Sequence, residues 1–330
     1  MEGAIIPSSG AQLAPAGGLD FGLFGEWERF IDASPQTVRL YTANVRRFGE
    51  YLSAQGITAP TRDTVLSYRK YLQTRLKPAT VASYLASLRA FFAWTESLAP
   101  PQYYPDITRR VKSPKISRDH KRDDLKPGEC AEVLRRINRD TLHGARDYAI
   151  LATMITCGLR DIEVTRADVG DVDERTGRAR LYVWGKDRAG KEDYVNLPRE
   201  ALDAIRAYLQ LREQEEGRKP ENSAPLFTSV SPNNYGGRLT TRSISRICKT
   251  ALKAAGFISS RLTGHSFRHA AVSNALRGGE DIRAVQMFAR HRNVSTTLIY
   301  DHSLSLESNT CSETISHLVF REGEEARSSQ

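Results

Sequence analysis

From residue 34 the chain falls into a rhythm of apolar residues three and four apart. Val38, Tyr41, Val45, Phe48 and Leu52 make one stripe along an α-helix. Ser34-Pro35 supplies an N-cap and a first-turn proline, and Gly56 closes the run. A second stripe opens near Thr61 with Val65, Tyr68 and Leu72, and a third at Pro78 with Val81, Leu85, Leu88 and Phe92. With a weaker stretch from Phe24 to Ile31, these predict a small helical bundle.

After Leu125 the pattern changes. Helices are predicted at 128–137, 146–160 and 199–214. Between the last two, Val169–Val172, Ala179–Trp184 and Glu192–Leu197 read as short strands. Thr176-Gly177 and Lys186-Asp187-Arg188-Ala189-Gly190 punctuate them, which predicts a small antiparallel sheet. Helices resume at 240–255, 266–277, 281–289 and 295–301. The fold class is mostly α with a small antiparallel sheet (α+β). A flexible leader over 1–20, a helical domain over 21–110, a basic linker over 111–124, a second domain over 125–320 and a disordered tail over 321–330 complete the expected organisation. The linker has Pro114 and no apolar period.

Length and composition narrow the classes. The 330 residues fit two domains, and 40% apolar with 26% charged suits a soluble chain with a real core. No run approaches the ~18 apolar residues of a membrane span, and the first residues lack the pattern of a secretory signal. Four scattered cysteines without a CxxC pair argue against a disulfide framework and a structural zinc site, and fit a reducing cytoplasm.

The charge adds more. Lys+Arg number 48 against 39 Asp+Glu, a net +9. Between Thr37 and Thr95, nine basic residues face only Glu50 and Asp63. A second basic run, from Arg109 to Arg122, is opposed by Asp119 alone. Such surfaces are either solvated faces or seats for DNA phosphates, and in the second case binding weakens steeply with salt. Arg39, Arg46, Arg47, Arg69, Lys70, Lys77, Arg89, Lys112 and Lys115 are the candidate DNA contacts.

There is no GxxxxGK[ST] loop, no GxGxxG and no acidic cluster shaped for Mg²⁺, so neither a cofactor nor a metal is expected. Five of the seven histidines instead crowd the last fifth of the chain, in LTGHSFRH and MFARHRNVSTTLIYDH, around Arg268 and Tyr300. His265 and Arg268 share a helical face. Arg160 ends an apolar helix, where an arginine needs an anion; Glu163 and a substrate phosphate both qualify. His265 and His269 have metal-ligand spacing, but no third soft ligand accompanies them.

These motifs resemble the tyrosine recombinases of the phage integrase family, in the compact two-domain form of Xer-type and integron-type enzymes, over about residues 24 to 302. The resemblance implies catalytic roles for Arg160, Lys186, His265, Arg268, His291 and the nucleophile Tyr300, supported by Glu163 and His302. Three departures stand out. Arg290 replaces the usual glycine before the later histidine, Gly264 the usual proline before the first, and Asp187 the glycine after the hairpin lysine. The last leaves Lys191 disputing the lysine role with Lys186.

What the resemblance implies is a helical core-binding (SAM-like) domain and a catalytic domain closing on duplex DNA, and site-specific recombination by metal-independent transesterification. A phenol with a pKa near 10 must be activated. Arg160 and Arg268 would stabilise charge building on the phosphate. Lys186 would protonate the leaving 5′ oxygen, His265 shuttle the tyrosine proton and His291 donate to a phosphate oxygen. The product is a 3′-phosphotyrosyl bond that keeps the bond energy. The implied partners are duplex core sites, three further protomers in a tetramer on synapsed DNA (a monomer when free) and accessory directionality factors, all in the cytoplasm and none in a membrane. An amphipathic segment, Thr314–Phe320, would dock on a neighbouring protomer. A type IB topoisomerase or telomere resolvase shares the tyrosine chemistry, and a non-catalytic DNA-binding accessory protein is the rival outside enzymes. The all-helical first domain and the spacing from His-x-x-Arg to Tyr300 favour recombinase, and the filled catalytic positions disfavour an accessory role.

Overall fold

A computed structural model describes residues 21–99, 102–115, 125–175, 177–184, 191, 193–259 and 261–305. The leader, residues 116–124 of the linker, Lys186, the 314–320 segment and the 321–330 tail lie outside the described residues. The chain divides into two units, residues 1–117 and 118–330, and the division falls inside the basic stretch.

The first unit is the helical bundle: α1 (Phe24–Phe30), α2 (Pro35–Ala54), α3 (Arg62–Gln73) and α4 (Pro78–Ser97). Ser34 Oγ accepts from the Thr37 N–H at 3.2 Å, so the sequence cap forms as read. The three apolar stripes meet in one core. The weak helix α1 is pinned there by Trp27, fully buried with its ring edge-on to Phe91 at 5.0 Å. One expectation shifts. Val111 is buried in this core, while Arg69 donates to the Lys112 carbonyl and Arg89 to that of Val111, both at 2.8 Å. Residues 111–113 therefore belong to the first unit, because an apolar side chain and two guanidiniums hold them down.

The second unit contains α5 (Pro127–Arg135), α6 (Leu142–Cys157), α7 (Asp161–Arg166), β1 (Val172–Asp173), β2 (Arg180–Val183), β3 (Asp193–Asn196), α8 (Arg199–Glu216), α9 (Thr241–Ala254), α10 (Gly264–Arg277), α11 (Ile282–Ala289) and α12 (Val294–Ser305). The apolar α6 runs through the core, packed by α8 and α10. The sheet is antiparallel in the order β1-β2-β3, with Leu181 opposite Val195 and Tyr182 opposite Tyr194. The strand expected over 169–172 shrinks to β1. Asp171 Oδ2 accepts from the Asp168 N–H at 2.6 Å, and this local bond turns Val169–Asp171 into a 3₁₀ turn.

Candidate catalytic site

The site starts from a helix that stops early. Gly158 takes the left-handed conformation (φ +59°), so α6 ends at Cys157 rather than at residue 160. Arg160 does not end that helix, as expected, but sits extended as the N-cap of α7. Three residues on, Glu163 folds back on it. Its Oε2 accepts from the Arg160 N–H at 2.8 Å and its Oε1 from Arg160 Nη1 at 2.7 Å. This is the reciprocal logic of a capping box with an ion pair added. Glu163 is 1% exposed while the Arg160 side chain keeps 26% of its surface open, so Arg160 can still meet an incoming anion.

Arg268 lies on α10 and is buried. Its fork donates to the Gly158 and Ala289 carbonyls, at the C-terminal ends of α6 and α11. Burial first, and then the charges of Arg160 and Arg290, bring its pKa down to about 9, so it remains a cation at neutral pH. The third guanidinium, that of Arg290, donates to Glu163 Oε2 at 2.6 Å and to the Phe288 carbonyl at 3.0 Å. The Arg290 carbonyl accepts from Arg160 Nη2 at 3.3 Å. Arg160 and Arg290 thus pair with one buried carboxylate, and the charge of Arg268 is felt beside them, leaving a positive excess that a phosphodiester would balance.

Arg290 holds the left-handed conformation (φ +52°) that normally asks for glycine. The strain of about 1–3 kcal/mol is smaller than the roughly 3–5 kcal/mol lost on breaking a buried ion pair. Arg290→Gly should therefore lower unfolding free energy by about 1–3 kcal/mol in denaturant titrations, even though it relaxes the backbone. A glycine variant as stable as the wild type would mean that strain outweighs the Glu163 contact.

His291 Nδ1 lies 3.0 Å from Thr297 Oγ1, and its ring stacks on Tyr300 with centroids 6.3 Å apart. Burial, followed by Arg268, Arg160 and Arg290, pushes its pKa down to about 4, so the ring is neutral at physiological pH. Tyr300, on α12, is buried, and its hydroxyl is hydrogen-bonded to His269 Nδ1. The sequence reading gave the tyrosine proton to His265. The structure puts His269, one helical turn further along α10, on that oxygen. His265 is exposed, with its ring edge-on to His269 at 5.1 Å. Among the described residues no three His, Cys, Asp or Glu side chains gather as a metal site.

Gly264 opens α10 where the family usually has proline. A Cβ there would lie 2.9 Å from Asp161 Oδ1, the first residue of α7, whose other oxygen accepts from Ser245 Oγ at 3.2 Å. Burial pushes the Asp161 carboxyl pKa up, against the Ser245 bond and the charge of His265. Proline at the first helical position is ordinarily favourable. Here Gly264→Pro should destabilise by about 1–3 kcal/mol through overpacking, and the loss should largely vanish in an Asp161→Ala background. Additive effects in that double-mutant cycle would show that Asp161 does not dictate the glycine.

Lys186 lies outside the described residues, as does the His302 side chain. Lys191 donates to Asp168 Oδ2 at 2.5 Å and Asp171 Oδ2 at 2.6 Å. Burial pulls its pKa down, but the bonds to Asp168 and Asp171 outweigh this and hold the pKa above the usual lysine value. That is the setting of a strut at the base of the hairpin.

The candidate DNA contacts divide. Arg39, Lys70, Lys77, Lys112 and Lys115 are exposed. Arg46 lies 3.9 Å from Glu28, and Arg47 donates to the Tyr84 hydroxyl. Arg69 and Arg89 hold residues 111–113. The sequence reading missed a further stripe, Arg242, Arg246, Lys249 and Lys253, exposed along α9 while Ile244, Ile247, Cys248 and Ala251 are buried. Its spacing of four, three and four is legible in the sequence as one basic helical face.

Residues 125–307 match the phage integrase family, and residues 30–97 match its N-terminal SAM-like domain. The chain is 30% identical over 278 residues to tyrosine recombinase XerC of Halalkalibacterium halodurans, covering 82% of this chain and 87% of the relative. To XerC of Myxococcus xanthus it is 32% identical over 274 residues, covering 81% and 87%. Its fold is similar to that of XerH site-specific recombinase bound to palindromic difH substrate in a post-cleavage complex. There the TM-score is 0.69 at 18% identity, over 88% of this chain and 84% of that one. The chain belongs to the phage integrase family, the tyrosine recombinases.

Proposed function

We propose that this protein is a site-specific DNA recombinase that breaks and rejoins duplex DNA through a covalent 3′-phosphotyrosine at Tyr300. The observation that carries this reading is the placement of Tyr300 beside a pocket where three guanidiniums outnumber one carboxylate. Arg160 and Arg268 stabilise the two non-bridging oxygens as charge builds in the transition state. Neutral His291 donates a hydrogen bond to the same phosphate, exposed His265 faces it from the first turn of α10, and Glu163 fixes Arg160. Lys186 protonates the leaving 5′ oxygen, while Lys191 stays on its carboxylates.

The exposed cations of the bundle and the α9 stripe bind DNA core-site phosphates. Four protomers assemble on synapsed DNA, each passing its 314–320 segment to a neighbour. A cavity of about 1060 Å³ would receive that segment: Leu202, Ala284, Met287 and Phe288 border it on one side, and Arg178, Arg199, Asp203 and Arg206 also line it, with Met287 exposed. The DNA it acts on is cytoplasmic; among the described residues no helix is long and apolar enough to cross a membrane.

Nicked duplexes with randomised cores, selected for attachment to the protein under denaturing conditions, test the reading. The expected product is a 3′-phosphotyrosyl adduct with a free 5′ hydroxyl, converging on one sequence and unchanged by EDTA. Relaxation of plasmids lacking that sequence would favour the topoisomerase alternative. On the recovered duplex, Lys186→Ala should be slow with the normal 5′ oxygen yet nearly normal with a 5′ bridging sulfur, because a thiolate departs without a proton. Sulfur rescue of Lys191→Ala instead would reassign the acid.

A further inference from the structure

Among the described residues three histidines lie around the Tyr300 ring, and the structure distinguishes them by what each touches. His291 stacks flat on the phenol ring, and its Nδ1 is engaged by Thr297. His265 meets the edge of His269 with centroids 5.1 Å apart and is exposed at the start of α10. His269 is half-buried, its ring 5.2 Å from that of Tyr300, with Nδ1 on the hydroxyl. Packing of α10 against α12 holds this pair together before any DNA is present.

We infer that His269 is a catalytic residue, the general base that takes the Tyr300 proton during cleavage and returns it during rejoining. The inference rests on the recombinase reading above. With its proton on Nε2, the neutral imidazole accepts the phenol hydrogen bond at Nδ1. As Tyr300 Oη bonds to phosphorus, its proton passes to Nδ1. The bond from phosphorus to the 5′ oxygen breaks, and that oxygen takes a separate proton from the Lys186 ammonium. In rejoining, a 5′ hydroxyl attacks the phosphotyrosine and gives its proton back to Lys186. The leaving phenolate recovers its own proton from the His269 imidazolium. Atoms and charge balance, and no co-reactant is needed. The assignment also separates two duties: His269 serves the nucleophile, and His265 serves the phosphate.

The probe is the nicked duplex selected with the wild-type protein, and the measurement is single-turnover adduct formation with duplex affinity determined in parallel. His269→Ala and His269→Gln should bind as the wild type does and form adduct roughly 10²–10⁴-fold more slowly, the usual size of a general-base contribution. Imidazole added to His269→Ala should restore the rate in proportion to its concentration, with more basic imidazoles acting more strongly. It should leave His269→Gln unchanged, because the amide fills the space without taking a proton.

A His269→Gln enzyme cleaving within a few-fold of the wild type overturns the inference, as does a His269→Ala enzyme indifferent to imidazole. Rescue of His265→Ala in its place moves the base to His265. If His269→Ala fails to fold, the rate of the near-isosteric glutamine variant decides alone. A wild-type protein that forms no adduct on any duplex sinks the recombinase reading itself. Normal adduct formation in both wild type and His269→Gln removes only the role of His269.

Discussion

Tyr300→Phe should bind the selected duplex with wild-type affinity and form no covalent adduct. The change removes one oxygen. The ring still packs on His291 and against α10, so stability should move by no more than about 1 kcal/mol, the net worth of the lost hydrogen bond to His269. The chemistry has no substitute for the missing atom. Arg160 and Arg268 can polarise a phosphodiester, but transesterification needs an oxygen placed in line with the leaving group. The loss should exceed roughly 10⁴-fold, more than 5 kcal/mol of barrier. Denaturing gels of end-labelled duplex read it directly. An adduct persisting in the variant would move the nucleophile to another phenol, and Tyr182 and Tyr194, paired across β2 and β3, would be the next to replace.

How much of this was legible in the sequence depends on the range of the interactions involved. The stripes of α2, α3 and α4 were readable because a helix repeats its buried face every three to four residues whatever it packs against. The β2–β3 pair was readable for the same local reason. The end of α6 was misplaced because apolar periodicity runs on past Cys157, whereas a single glycine, Gly158, breaks the helix. Val111 looked like linker because its burial depends on residues far away in the chain. Arg160 and Glu163 were paired correctly, but as helical neighbours rather than as a cap and its returning side chain. Two site features stayed hidden. Arg290 registered as a departure from glycine, but its contact with Glu163 spans 127 positions. The role of His269 is invisible in the sequence, because a spacing of four suggests a metal pair and does not tell which of two histidines faces α12.

Arg268→Ala and Arg160→Ala should differ in kind. Each removes a preorganised cation from the phosphate, and each should slow cleavage by about 2–4 kcal/mol of transition-state stabilisation. Arg268→Ala should also destabilise the fold, because it strands the Ala289 carbonyl, at roughly 1–3 kcal/mol for a buried group, and leaves the Gly158 carbonyl only the Arg290 donor at 3.3 Å. Arg160→Ala also breaks an ion pair with buried Glu163, but that carboxylate keeps Arg290 and the residue-160 N–H, so the variant should cost the fold less than it costs the rate. The most telling variant is Arg268→Lys. One ammonium lacks the planar fork that reaches both carbonyls, so the geometry loosens. The surroundings that bring arginine down to about 9 would act on lysine too. Starting from its ordinary ~10.4, lysine would be driven toward neutrality. Its charged form would then be favoured by acid, so cleavage by Arg268→Lys, relative to the wild type, should improve as pH falls from 8 to 6. Single-turnover rates across that window decide the matter. A lysine variant that matches the wild type at every pH would mean that neither the fork nor the permanent charge of Arg268 matters to the reaction.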